Sequence, residues 1–330
     1  MNDATPRRVT SADVARVAGV SRATVSYVLN NTPHQTISAG TRARVLDAAA
    51  GLGYAPSAAA RTLRTGRSDV VLCLLPDWPI GSEVGALLGH LSAELARAGL
   101  TFLAHPGTRP GHPVGPLWRA ISPAAVLAFS GFPAAERDAM RAAGVAPVVA
   151  PLSRPGPGTA GPQQRVGALQ VAHLAAAGHT RVGYAYPDDD RVRVFADPRL
   201  EGVRVRCAEL GLGLPEVRTV PLEPEPAATA VRGWRASGVT AVCAYNDEVA
   251  LAVLAGLRRL SPGAPGRLAV IGVDDIPVAR LAEPALTTVT TDQAALAAHL
   301  ATAVLAAVHG EPDPELDLAA AIHVVPRDSA

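Results

Sequence analysis

The sequence predicts an α-helical helix-turn-helix headpiece followed by a two-lobed α/β body with parallel, doubly wound sheets. Three observations carry that expectation. Two short helical segments joined by Ala18-Gly19-Val20-Ser21 read as a helix-turn-helix. After Ser68, short apolar runs alternate with helical patterns in two successive series, the pattern of parallel sheets covered by helices on both faces. Charge divides the chain at the same place: residues 1–67 hold nine Arg against three Asp, a net of +6, while residues 68–330 hold 21 Arg against 26 acids, a net of −5. Such asymmetry suggests a nucleic-acid-binding end joined to a body of another kind.

At roughly 150 residues per domain, 330 residues make about two compact units. With 48% hydrophobic and only 4% aromatic residues, the core must be aliphatic. All 30 basic residues are arginine, so a lysine-bearing phosphate loop cannot occur. The amino-terminal run MNDATPRRVTSADV has no apolar segment of the secretory kind and no stretch of 18 apolar residues follows. A cytoplasmic protein without membrane contact is therefore expected. Cys73, Cys207 and Cys243 are odd in number and far apart, which supports neither disulfides nor zinc. His173, His179, His299, His309 and His323 lack ligand spacing, and no nucleotide, hydrolase or metalloprotease motif is present, so neither enzyme nor cofactor is expected.

From Thr10 the residues TSAD form a capping box ahead of an apolar run, with Asp13 reaching back to free amides. Val14, Val17 and Ala18 are expected to face a core. Gly19 supplies the turn, and Ser21 caps a second helix that turns Val25, Val28 and Leu29 inward. Arg22, Ala23, Ser26, Tyr27 and Asn30 then point outward, where a major groove would present base edges and phosphates. A third helix should run from Ser38 through Val45, Leu46 and Ala49 to Gly51 and Gly53. The segment from Ser57 to Leu63 is too short for a stable isolated helix. With Ala60 beside it, and Arg61, Arg64 and Arg67 as cations, Leu63 fits a minor-groove wedge; the same composition also fits a flexible linker.

In the body, DVVLCLL, TFLA, AAVLAF and PVVA form a first series of strands, with helices at Glu83–Ala98 and Ala134–Ala143. The second series contains RVGYAY, VRTV, VTAVCAY and LAVIGVDD, with helices at Arg199–Leu210, Ala227–Ser237 and Asp247–Leu260. Ligands of open α/β sheets lie at the carboxyl ends of strands, so Asn246 and Asp274 would enter a common crevice. Asp247 and Asp275 suit helix capping as well as ligand contact. Asp77 and Trp78 offer a hydrogen bond and a stacking surface for a sugar ring, although a loop tryptophan also serves as lid packing.

The runs VTSADVARVAGVSRATVSYVLNN and TRARVLDAAAGLGYAPSAAARTLRTGRS resemble the headpiece and hinge of the lactose/galactose repressor family of bacterial transcription regulators. AYNDEVALAVLAGL, VIGVDDIPVARLAEPALTTV and RLEGV extend the resemblance through a body like that of periplasmic binding proteins. It implies a dimer that binds pseudo-palindromic operator DNA, read as a repressor, under allosteric control of a small polar effector such as a sugar or sugar derivative. The implied DNA contacts are Thr10, Ser21, Arg22, Ala23, Thr24, Ser26, Tyr27, Asn30, Ala60, Leu63 and Arg64, with Leu63 intercalating. The implied effector contacts are Asp77, Trp78, Phe129, Arg165, Arg199, Asn246 and Asp274. Arg165 stands where the lactose repressor carries an acid; it would favour a phosphosugar or carboxylate, or else pairs with an acid on a solvated helix face.

The domains expected are a headpiece at 1–56, a hinge at 57–67 and an effector-binding and dimerisation body at 68–330. Its first lobe takes 68–163 and 292–320, its second 164–291 and 321–330. The alternative, a transport-type sugar-binding protein with no DNA role, shares the two-lobed body but has no use for the headpiece.

Overall fold

The computed structural model describes residues 9–29, 36–54, 67–108, 114–150, 161–260, 268–312 and 321–330. They fall into two compact units, Met1–Ser68 and Asp69–Ala330.

In the first unit, α1 (Ser11–Ala18), α2 (Arg22–Leu29) and α3 (Ala39–Gly51) enclose one small core. Thr10 N–H donates to Asp13 Oδ2 at 3.0 Å, closing the first turn of α1. Gly19 ends it at φ 66°, the left-handed conformation that glycine adopts without Cβ strain. Ser21 Oγ accepts from Thr24 N–H at 3.1 Å and Ser38 Oγ from Thr41 N–H at 3.2 Å, so both later helices start on serine caps. The buried face comprises Val14, Ala15, Ala18, Val25, Val28, Val45, Ala48 and Ala49. Val17 and Leu46 depart from the expected core: they are 55% and 47% exposed. At 100° per residue, Ala15 and Ala48 take the inward positions, and their small side chains let the three helices approach closely.

The first lobe of the body has a four-stranded parallel sheet ordered β2-β1-β3-β4, made of β1 (Val70–Pro76), β2 (Thr101–Thr108), β3 (Ala125–Ala128) and β4 (Ala146–Val149). Period-two alternation sorts β1 between two cores. Val71, Cys73 and Leu75 face α4 (Ser82–Arg97) and a late helix, α11 (Gln293–His309). Leu72 and Leu74 face α5 (Gly115–Ile121) and α6 (Ala134–Ala142) through Trp118 and Met140.

The second lobe has six strands ordered β10-β9-β8-β7-β5-β6. They are β5 (Val182–Pro187), β6 (Glu216–Val220), β7 (Ala241–Ala244), β8 (Ala269–Val273), β9 (Thr287–Thr291) and the antiparallel β10 (Ile322–Val325). Val242, Ala244 and Val270 pack beneath α9 (Pro224–Ala236) and α10 (Asp247–Leu260). Tyr184, Cys243 and Ile271 pack on the opposite side, beneath α7 (Pro162–Ala176) and α8 (Arg193–Glu209). α8 begins six residues before the expected Arg199 start, so Pro198 lies inside it. α7 and α8 cross closely enough that a Cβ on Gly167 or Gly202 would overlap the facing backbone carbonyl, of Arg199 or Gln164 respectively. The three cysteines are buried and free.

Candidate functional site

The strand-end residues of the second lobe meet around one guanidinium. β7 ends at Ala244 and β8, its parallel neighbour, at Val273, which brings Tyr245, Asn246 and Asp274 to the same edge. Arg199 reaches this edge from α8 and is buried, with four engagements. Nε donates to Gln163 Oε1 at 2.8 Å, Nη1 to the Tyr245 carbonyl at 2.7 Å, and Nη2 lies 3.6 Å from Asp274 Oδ1. Its plane sits over the Tyr245 ring, 4.9 Å from the centroid, adding a cation–π contact.

Asp274 and Asp275 have φ of 110° and 53°, a left-handed pair without glycine. Non-glycine residues hold such angles only when the surroundings over-determine them. Here they do. Asp274 N–H donates to the Val289 carbonyl at 2.7 Å. The buried Asp247 accepts from Ile276 N–H at 2.9 Å and from the Thr288 hydroxyl at 2.6 Å. Arg327 Nη2 lies 2.5 Å from Asp275 Oδ1 while Nη1 donates to the Leu286 carbonyl at 2.7 Å. Asp247 and Asp275 thus brace the turn that presents Asp274.

Burial pushes Asp274 up to about 6 and Glu248 adds to the rise, while Arg199 opposes both. Burial likewise pushes Asp247 up to about 7. Asn246 spends Oδ1 on the Val249 N–H at 3.0 Å, capping α10, and its amide nitrogen lies 3.5 Å from Glu248 Oε2. That nitrogen is the group it can turn toward a ligand.

From the first lobe, Trp78 and Phe129 follow β1 and β3, with ring centroids 5.4 Å apart. Trp78 also meets Phe195 of α8 edge-on at 4.8 Å, so the aromatic group spans the two lobes. Asp77 is half-buried beside Trp78, and its charge acts on Arg191. Arg165 is exposed on α7, two residues beyond the Gln163 that holds Arg199.

Arg199 and Asp274 are thus in direct contact, and Trp78 and Phe129 form a second group with Phe195. Sequence reasoning missed Phe195, Gln163, Arg327 and the facing pair Glu83 and Gln293, whose Oε2 and Nε2 lie 2.6 Å apart. Phe195 had a legible signal, lying four residues before Arg199 and hence on the same helix face.

In the helical unit, Ser21, Arg22, Ala23 and Tyr27 are exposed along α2, and Thr24 and Ser26 are half-buried. Thr10 is exposed at the start of α1. Asn30, Ala60, Leu63 and Arg64 lie outside the described residues.

Residues 10–57 match the family model of bacterial regulatory proteins, lacI family, and residues 171–330 match a periplasmic binding protein-like domain. The HTH-type transcriptional regulator GalR of Escherichia coli (strain K12) is 31% identical over 318 residues, covering 92% of this chain and 90% of that protein. GalS of Salmonella typhimurium is 32% identical, covering 85% and 84%, and MalR of Streptomyces coelicolor is 30% identical, covering 96% and 95%. Among solved structures, the Lac repressor dimer bound to operator and the anti-inducer ONPF shares the fold at a TM-score of 0.75 and 20% identity, covering 98% of this chain and 99% of that one. The complex of the transcriptional regulator CelR with cellobiose has a TM-score of 0.64 at 25% identity, covering 98% and 100%. With relatives at this identity spanning nearly its whole length, the chain belongs to the lactose/galactose repressor family of DNA-binding bacterial transcription regulators.

Proposed function

We propose that this regulator acts as a cytoplasmic, non-catalytic repressor that binds a pseudo-palindromic operator as a dimer and releases or tightens its grip when a sugar-like effector occupies the body. The observation that carries the reading is the Arg199–Asp274 pair, held at adjoining strand ends by a braced left-handed turn. A strained, over-determined carboxylate beside a buried guanidinium is an arrangement suited to forked hydrogen bonds with ligand hydroxyls. Trp78 and Phe129 supply an apolar face for a sugar ring. The solved CelR complex holds cellobiose.

Recognition helix α2 would lie in the major groove with Arg22, Ala23 and Tyr27 toward base edges, while Thr10, Ser21, Thr24 and Ser26 serve phosphates and Asn30 adjoins them. Ala60, Leu63 and Arg64 would form the minor-groove hinge. Asp77, Trp78, Phe129, Arg165, Arg199, Asn246 and Asp274 are the proposed effector set. The body also presents Leu222, Val278 and Leu281 at 62%, 49% and 78% exposure. Leu222 and Val278, with Leu251 and Ile276, line an apolar groove of about 300 Å³, a surface fit for a second copy. Operator and effector affinities must then shift reciprocally.

The test pairs gel-shift on DNA flanking the chain's own gene with a thermal-shift screen of sugars and sugar derivatives. A retarded duplex whose mobility responds to a stabilising sugar is expected. Binding to no duplex at low ionic strength, or a duplex complex indifferent to every stabilising compound, refutes the reading.

A further inference from the structure

The two lobes of the body meet through aromatic rings, and the central ring is the one offered to a sugar. Trp78 follows β1 and packs on the core of the first lobe, whereas Phe195, in the first turn of α8, packs on a core of the second. Their centroids lie 4.8 Å apart with 60° between planes, an edge-to-face pair. Trp78 also lies 5.4 Å from Phe129, tilted by 40°. The indole thus has an aromatic neighbour from each lobe. Phe129 is buried in the same core cluster on which Trp78 packs and moves with it. Phe195 is half-buried and belongs to the opposite lobe, so it is the neighbour that a change of lobe orientation removes. Arg199 follows one turn later on the same helix, so α8 carries both the polar anchor of the site and the ring that bridges the lobes.

We propose that Phe195 is an internal latch: it holds the Trp78 indole across the cleft, a sugar stacking on that indole displaces it, and loss of the latch moves the protein toward its effector-bound operator affinity. This role rests on the sugar-effector reading given above and names the contact through which the ligand acts. A ligand shifts a two-state equilibrium only by its differential affinity for the two states. Displacing a ring that belongs to the opposite lobe supplies such a difference, because the ligand gains the indole surface that the lobes lose as a contact. An aromatic pair is worth about two- to tenfold in an equilibrium constant beyond its buried area, which sets the size of the effect.

The latch has its own spectroscopic signature. Of the three tryptophans, Trp118 and Trp234 are 4% and 0% exposed. Each donates its Nε1 hydrogen within its own lobe, to Glu136 and to the Glu216 carbonyl respectively. A change in the contact between lobes therefore registers in the emission of Trp78, which a Trp78→Phe variant identifies.

The experiment uses full-length protein, labelled DNA flanking its own gene, and glucose, galactose, maltose and cellobiose as probes. Anisotropy reads operator affinity and tryptophan emission reads the latch. Phe195→Leu keeps apolar bulk but loses the ring. It should alter Trp78 emission before sugar is added and bind the active sugar about two- to tenfold tighter. Its operator affinity without sugar should move by a similar factor, in the direction that sugar drives the wild type. Phe195→Tyr, which keeps the ring, should behave as the wild type. Trp78→Leu should reproduce the operator shift, and the double variant should add nothing to it. Sugar binding by Phe195→Leu that is equal or weaker, an operator shift opposite to the sugar's, additive shifts in the double variant, or identical behaviour of the leucine and tyrosine variants overturns the proposal. If no sugar of the panel alters wild-type operator binding, the sugar-effector reading falls; the latch is then decided by operator affinity alone, and a Phe195→Leu protein that matches the wild type overturns it as well.

Discussion

Asp274 and Asp247 are neighbouring carboxylates with opposite jobs, and environment alone separates them. Asp247 is fully buried and satisfies two donors of the turn, whereas Asp274 is half-buried, paired at 3.6 Å with Arg199 and open to further donors. Asp274→Ala should therefore abolish the effector's influence on operator binding and leave the melting temperature within a few degrees; a variant whose gel-shift still responds to effector removes Asp274 from the site. Asp247→Ala should instead cost about 1–3 kcal/mol, because Ile276 N–H and the Thr288 hydroxyl lose their acceptor in the interior. Chemical denaturation measures this directly. The pH sign follows from the raised carboxyl. Unfolded Asp247 gives up its proton near pH 4, while the folded one holds it until about 7. Between those values the folded state binds the extra proton, so this group's stabilisation is complete at low pH and is lost as pH rises through 7. Asp247→Asn can keep both contacts, its oxygen accepting from Ile276 and its amide donating to Thr288. It should flatten the decline in melting temperature from pH 5 to pH 8, and an unchanged slope would refute this account.

At the scale of elements, the two glycines at the α7–α8 crossing set how closely Arg199 approaches the strand ends. Gly202→Ala would drive a methyl into the Gln164 carbonyl and push α8 away, and Gly89 of α4, with open space around its Cβ position, is the control. We expect Gly202→Ala to destabilise by roughly 1–3 kcal/mol and to weaken effector binding, and Gly89→Ala to stabilise by up to about 1 kcal/mol. Equal effects on denaturation midpoints would show that the crossing is loose. The strands β1, β3, β5, β7 and β8 were legible because each is a short apolar run buried on both faces, a signal that needs no partner to be seen. The helices α7 and α11 were not. α7 follows a Pro/Gly-rich stretch and begins at Pro162, and α11 is so rich in alanine and leucine that no polar face marks its period. α11 also follows a strand of the second lobe yet packs on the first, a crossing that local pattern cannot reveal. Phase errors had another cause. Val17 and Leu46 are the bulkier residues of their helices, but the close-packed small core selected Ala15 and Ala48 beside them. At the site, Arg199, Asn246 and Asp274 were visible as strand-end or motif residues, whereas Arg327 reaches Asp275 from the last strand's far side and carries no sequence mark of doing so.

Across the whole molecule, a cationic amino-terminal unit and an acidic body divide two tasks that a single surface could not perform. Phosphate contacts need dense positive charge and draw affinity from counterion release, which makes binding salt-dependent in proportion to the phosphates neutralised. The −5 body would be repelled by the phosphates that the +6 segment attracts, so charge alone assigns duplex contact to the amino-terminal residues. The dependence can be counted. Arg22 is exposed on the first turn of α2 with no acid in that turn to compete for it. If it meets a phosphate, Arg22→Gln should lower the slope of log affinity against log salt by about 0.9 and weaken all duplexes alike. If it meets a guanine edge, the slope should hold while discrimination at one operator position falls by about 1–3 kcal/mol. Fluorescence anisotropy over a salt series, on operator and on scrambled DNA, separates the two outcomes. A variant that changes neither slope nor discrimination removes Arg22 from the interface and, with it, the assignment of α2 as the recognition helix. The same series on protein lacking residues 1–67 should show no duplex binding at any salt concentration, since the remaining surface carries net negative charge.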